Sequence, residues 1–245
     1  SQRTKFIDFF KPNFRDASVY QTGSVANELA YISGSTEKTR LCIESFVNFP
    51  KIDETTEREL IPNFLTASIF GLHDVDTTSA PYNTWESPSA ASIFVRAIKD
   101  ATEPQLAYFE ASSSVAGITA VTSSKFDDIY NNSDWYFSVQ LEPQNEELFP
   151  SSSLPDYNFV FRGYSYVGGN LNQSFAVSSS IARATALSFL QTNQKVYIGA
   201  ERTDFTGGLL YSSDVRNAGL RFWLRNLTEA EQQAHAQDFL SYGAL

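Results

Sequence analysis

The sequence predicts an all-β fold, an antiparallel two-sheet sandwich with one short helix near the C-terminus. Three observations predict it. Apolar and polar residues alternate with the period of a half-buried strand, most cleanly at residues 135–142. There Trp135, Phe137, Val139 and Leu141 face one way and Tyr136, Ser138, Gln140 and Glu142 the other. Turn signals punctuate such runs, among them Thr206-Gly207-Gly208 and Gly168-Gly169-Asn170. Aromatics make up 14% of the chain, with 20 Phe and 12 Tyr, a composition that favours strands over helices. About twelve strands can be read, with no repeat and no long linker, so the 245 residues make one folded unit.

Taken in order, Phe6, Ile7, Phe9 and Phe10 form an aromatic arm stopped by Lys11-Pro12. The arm is expected to fill the end of the core or to dock on an adjacent subunit. Residues 24–33 read as a strand, so 1–39 are an N-terminal arm and first strand, and 40–245 are the main domain. Residues 40–49 are a strong strand ended by Pro50. The charged stretch 51–63 is a short helical turn or a loop, and 64–72 a strand. Residues 73–89 form the longest polar loop. Residues 91–99 are a strand with Ile93, Val95 and Ala97 on one face, and 105–111 its hairpin partner. A short strand follows at 115–122. Beyond a Pro- and Ser-rich loop at 143–156 come strands at 157–164 and 175–178. Residues 179–191 fit either a short helix or a loop-to-strand transition. Strands at 196–200, 209–212 and 219–224 close the series. Thr228, with Glu231 three residues on, is a capping box that starts the final helix.

Composition narrows the function classes. The net charge of −10, with no basic cluster, repels phosphate backbones and argues against nucleic acid as a partner. A single cysteine, Cys42, rules out an internal disulfide and reads as a small buried hydrophobe. No apolar run reaches the roughly 18 residues of a membrane span, and no signal-peptide pattern is present. With no Met and no start or stop character at Ser1 or Leu245, the chain is expected to be a portion of a larger protein.

Four fragments near the C-terminus stand in a telling order: Tyr197-Ile198-Gly199, Phe205-Thr206-Gly207, Arg221-Phe222-Trp223 and Leu227-Thr228-Glu229-Ala230-Glu231. His235-Ala236-Gln237-Asp238 and Tyr242-Gly243 follow, and upstream Trp135 heads a strand that Pro143 ends. This arrangement resembles the laminin G-like, concanavalin A-like jelly rolls, in the version found in large structural proteins of tailed phages and other viruses. The resemblance covers residues 40–243. It implies a jelly-roll sandwich with Trp135 and Trp223 largely buried. It also implies a non-enzymatic virion structural or surface domain, decorating or adhesive, located in the virion. Its partners would be other virion proteins or copies of itself, with host-surface glycans as a further partner class. A free extracellular lectin-like adhesion domain is the alternative.

For glycan binding, the resemblance points to a concave sheet or rim loops with exposed aromatics. Tyr82, Trp85, Tyr164 and Tyr166 are the candidates, with Asn83, Asn170 and Asn172 as polar partners. Asp74, Asp76 and Glu86 are oxygen donors of the kind calcium takes, and calcium is the one cofactor the residues suggest. The enzyme rival is a glycoside hydrolase, but the E-x-D-x-E strand that such jelly rolls carry is absent. No G-x-S-x-G elbow and no His- or Cys-rich metal spacing occurs. Of the two histidines, His73 opens the long loop and His235 reads as a structural contact in the closing helix.

Overall fold

Strands β2 (Leu41–Phe49) and β7 (Ser133–Pro143) lie side by side at the heart of the molecule, in register from Leu41 against Leu141 to Phe49 against Ser133. The computed structural model describes residues 4–7, 40–61, 63–74, 92–144, 156–190, 194–203, 208–223 and 225–240. Around the central pair, β8 (Tyr157–Val167), β9 (Asn170–Ile181) and β13 (Arg216–Trp223) complete a five-stranded antiparallel sheet ordered β13-β2-β7-β8-β9, here sheet B.

Sheet A has six strands ordered β1-β10-β3-β4-β5-β6: β1 (Thr4–Ile7), β3 (Thr66–Asp74), β4 (Ile93–Lys99), β5 (Ala107–Ser113), β6 (Val121–Thr122) and β10 (Gln194–Gly199). A small ribbon pairs β11 (Glu201–Arg202) with β12 (Leu209–Tyr211). Among the described residues three helices join them: α1 (Glu54–Leu60), α2 (Arg183–Leu190) and α3 (Glu229–Gln237). The all-β two-sheet sandwich with a short C-terminal helix is therefore the observed architecture.

The core lies between the inner faces. Trp135, Phe137, Val139 and Leu141 of β7, with Ile43, Val47, Phe49, Phe159 and Phe161, meet Phe70, Leu72, Val95, Phe109 and Val196 of sheet A. Phe109 is the hinge of this contact, with ring centroids 4.7 Å from Phe137 and 4.8 Å from Trp135. Burying each such ring contributes about 1.5–3 kcal/mol. The inward set on β4 is Ile93, Val95 and Ala97, as the alternation predicts.

Several local expectations change. Residues 51–60 do include a helix, because Asp53 accepts from the backbone N–H groups of Thr55 and Thr56 and caps it. The stretch 179–191 divides into the end of β9 and the helix α2. The strand at 115–122 shrinks to Val121 and Thr122. The aromatic arm contributes β1, whose backbone pairs with β10 at the edge of sheet A. Residues 24–33 lie outside the described part.

The largest change concerns the second face of β7. Tyr136, Ser138 and Gln140 were expected to look outward into water, yet each is 2% exposed or less. Helix α3 covers them. The Ser138 hydroxyl donates to Gln232 (2.6 Å), and Gln140 both receives the backbone N–H of Leu227 (2.7 Å) and donates to its carbonyl (3.2 Å). Glu44 on β2 accepts from Tyr136, from Trp223 Nε1 (2.6 Å) and from His235 Nδ1 (2.8 Å). His235 is thus a structural contact, as its place in the closing helix suggested. Trp223, expected to be largely buried, is half-buried and stacks on the His235 ring at 5.8 Å. No helix among the described residues is long and apolar enough to cross a membrane.

Candidate active site

The outer face of sheet A gathers a set of titratable side chains from several strands. Strand alternation puts His73 of β3, Arg96 of β4, Glu110 of β5 and Tyr197 of β10 on that face, opposite the core. Glu201 joins them from β11. Tyr197 pairs across the ladder with Gly71, and Gly71 pairs with Phe94 on its other side. A Cβ at Gly71 would stand 2.4 Å from the Tyr197 ring and 2.5 Å from the Ile93 carbonyl, so only glycine lets the phenol lie across the strand. Tyr197 lies beside His73, the two rings stacked at 4.9 Å and 13°.

Each group is held in a defined state. Burial holds the His73 imidazole far below its usual range, to about 3, and Arg96 pushes in the same direction. His73 is therefore uncharged at neutral pH, and its Nδ1 lies 2.9 Å from the Ser92 hydroxyl. Burial, then the nearby Glu201 carboxylate, raises the Tyr197 phenol well above its ordinary value, so it keeps its proton. Its hydroxyl lies beside that of Ser68, and neither has another hydrogen-bond partner among the described residues.

Arg96 forms a two-pronged bond to Glu201, Nε to Oε2 at 2.9 Å and Nη2 to Oε1 at 2.8 Å, with Glu110 at 3.6 Å. Its guanidinium lies between the Phe94 and Tyr211 rings, 4.7 and 4.8 Å from their centroids. Burial opposes the charge on Arg96, but the Glu201 bond outweighs it and raises the pKa. Burial also raises the Glu201 carboxyl, against the pull of Arg96. The resulting face offers a proton-bearing phenol, a neutral imidazole and a fixed positive centre. Tyr197 and His73 form its floor at 1% and 2% exposure, and Phe94, Arg96 and Glu110 stand half-buried around them.

The residues named from sequence fall elsewhere. Tyr164 and Tyr166 lie on β8, on the outer face of the other sheet, and both line a groove there. Asn170 is exposed at the start of β9 and Asn172 follows it two residues on. Tyr82, Asn83, Trp85, Glu86 and Asp76 lie outside the described residues, and of Asp74 only the backbone in β3 is described. No group of three or more His, Cys, Asp or Glu that could hold a metal ion occurs among the described residues. Sequence reasoning missed Tyr197, Arg96, Glu110 and Glu201 as a set. The signal available was His73 at the end of a strand, on the same face as Gly71, a small residue inside an apolar run.

No family model matches the chain, and no curated protein matches it. Among solved structures, the chain is similar to alginate lyase Aly36B with a bound alginate trisaccharide, at 11% identity over 77% of this chain and 71% of that one, with a TM-score of 0.41. It is likewise similar to another variant of the lyase with a bound alginate tetrasaccharide, at 9% identity, 75% and 69% coverage and a TM-score of 0.40. No residue role passes from them to this chain. They do correct the expectation of a non-enzymatic virion structural or surface domain, and with it the lectin-like adhesion alternative. The similar structures are those of an enzyme, alginate lyase. The expectation that the chain performs no reaction is withdrawn on the same finding.

Proposed function

We propose that this protein is a carbohydrate-active enzyme that cleaves a polysaccharide by acid–base chemistry on the outer face of sheet A. The observation that carries the reading is the Tyr197–His73 stack beside the Arg96–Glu201 pair. Titratable groups from four strands gathered on one face, with displaced pKa values and a fixed guanidinium beside them, are the pattern by which a candidate acid–base site is recognised. In this scheme Tyr197 gives its phenolic proton to the departing glycosidic oxygen. The neutral His73 imidazole takes the proton released by the attacked centre, a sugar carbon or a water. Arg96, anchored by Glu201, stabilises the negative charge that develops.

The similar solved structures carry alginate oligosaccharides, and that ligand is theirs. Alginate enters the test as one polysaccharide among several. The protein is incubated with alginate, pectate, xylan, mannan and β-glucan. New reducing ends and absorbance near 235 nm, the mark of an unsaturated product, are followed together. The expected result is chain cleavage of at least one substrate, reduced at least about a hundredfold by Tyr197→Phe, the scale on which a general acid contributes. Cleavage of none, or cleavage that Tyr197→Phe leaves intact, removes the proposal. The absorbance decides whether carbon or water gave up the proton.

A further inference from the structure

The other sheet carries a separate open groove that the chemistry on sheet A does not use. It lies where β2, β7 and β8 meet the end of α3, with a volume of about 270 Å³, near the lower end of small-ligand pockets at about 300–1,000 Å³. Aromatic rings make its walls: Phe46, Tyr164 and Tyr166. Phe239, half of whose surface is exposed at 51%, packs against Phe46 with ring centroids 6.1 Å apart. Asn48, Asp134 and Gln237 add amide and carboxylate groups. Asn48 Nδ2 donates to Asp134 Oδ1 at 2.8 Å, which fixes both side chains and turns an amide oxygen and a carboxylate oxygen toward other donors. Tyr164 is 4% exposed, and its hydroxyl lies toward Gln233 of α3, so it is the ring that the wall presents.

We propose that this groove is a second site, one that binds a short stretch of a neutral glycan chain. Sugar rings present apolar C–H faces that lie against aromatic rings, and hydroxyls at their rims that pair with planar amides and carboxylates. The groove supplies both in the right places. Its only ionised group is the Asp134 carboxylate, and the chain carries a net charge of −10, so an anionic glycan is repelled. An apolar peptide segment would cover the remaining oxygens of Asn48 and Asp134 without pairing them, which costs free energy at each. The site lies on the sheet opposite Tyr197 and His73, so it would hold the polymer without taking part in its cleavage.

The test is calorimetric titration of the whole chain with gluco-, manno-, xylo- and galacto-oligosaccharides, and with oligogalacturonate as the acidic arm. The expected result is saturable binding of at least one neutral series and none of the acidic one. Tyr166→Ala should weaken that binding by about tenfold or more, as truncation of an aromatic anchor does. Asn48→Ala, at the half-exposed rim, provides an independent variant should Tyr166→Ala lose its fold. Tyr197→Phe should bind as the unmodified protein does, which keeps this inference separable from the proposed cleavage. Absence of neutral-glycan binding, binding of the acidic series alone, or unchanged binding in both groove variants overturns it.

Discussion

The two outer faces of the sandwich both carry buried polar side chains, and they treat them in opposite ways. On sheet B, α3 descends onto the strands and joins a hydrogen-bonded set of side chains from β2, β7 and β13. Glu44 receives three donors, Gln140 makes two bonds to Leu227, and Ser138 bonds Gln232. On sheet A, the Tyr197 hydroxyl has only the Ser68 hydroxyl beside it among the described residues, and His73 is held uncharged by burial. Satisfied polar groups under a roof fasten one element to another. On sheet A a neutral imidazole and a protonated phenol lie beside a fixed guanidinium with no helix among the described residues laid across them, the grouping that marks a candidate acid–base site. The difference separates a docking surface from the proposed reactive one within a single fold.

The sharpest way to break that contrast is to remove the centre of the sheet-B network. Glu44→Leu strands the Tyr136 hydroxyl, the Trp223 indole N–H and His235 Nδ1 beneath α3. A loss of about 3–5 kcal/mol is expected in urea unfolding, the cost of leaving buried partners unpaired. A loss below about 1 kcal/mol would mean that α3 is held by something else. Cleavage per folded molecule should survive the change, because the Tyr197 face lies on the other sheet.

Acid should act on sheet A next. The unfolded chain protonates His73 near 6.5, and the folded chain only near 3. Below about 6.5 the unfolded state therefore binds the extra proton, and this contribution to stability is lost progressively as pH falls from 6.5 toward 3. From pH 6.5 to 5 the loss is roughly 2 kcal/mol, at 1.36 kcal/mol per unit. Unfolding measured at pH 7, 6 and 5 for the protein and for His73→Gln isolates the effect. The unmodified chain should lose that amount relative to the variant, and parallel pH curves would show that His73 does not carry the strain.

Much of this was legible in the sequence, and the part that was not has a physical reason. Alternation located β4, β7 and the strands near the C-terminus because each has one face in the core. The same alternation suggested that Tyr136, Ser138 and Gln140 face water, since it reports only that two faces differ. What covers the second face is decided by residues far along the chain: Glu44 and His235 are separated by 191 positions. The candidate active site was hidden for the same reason. His73, Arg96, Tyr197 and Glu201 come from four separate strands, and only the sheet order brings them to one face. Tyr164 and Tyr166 were found by residue type, but the groove around them needed Phe46 from β2 and Gln237 from α3.

The smallest expected effect tests how the roof on sheet B begins. Helix α3 starts at a capping box that the sequence predicts: Thr228 Oγ1 accepts from the Glu231 backbone N–H at 3.2 Å, and Glu231 accepts from the Thr228 backbone N–H at 2.8 Å. Arg225 also grips Glu231 at 2.8 Å and, with the cap, holds its carboxyl down at about 2. Thr228→Ala removes one of these bonds and should cost about 1 kcal/mol. Leu227 and Gln232 remain to hold the helix, so the loss stays well short of that at Glu44. If Thr228→Ala instead matched Glu44→Leu in urea unfolding, the helix would be held at its first turn. The buried network would then follow from docking rather than cause it.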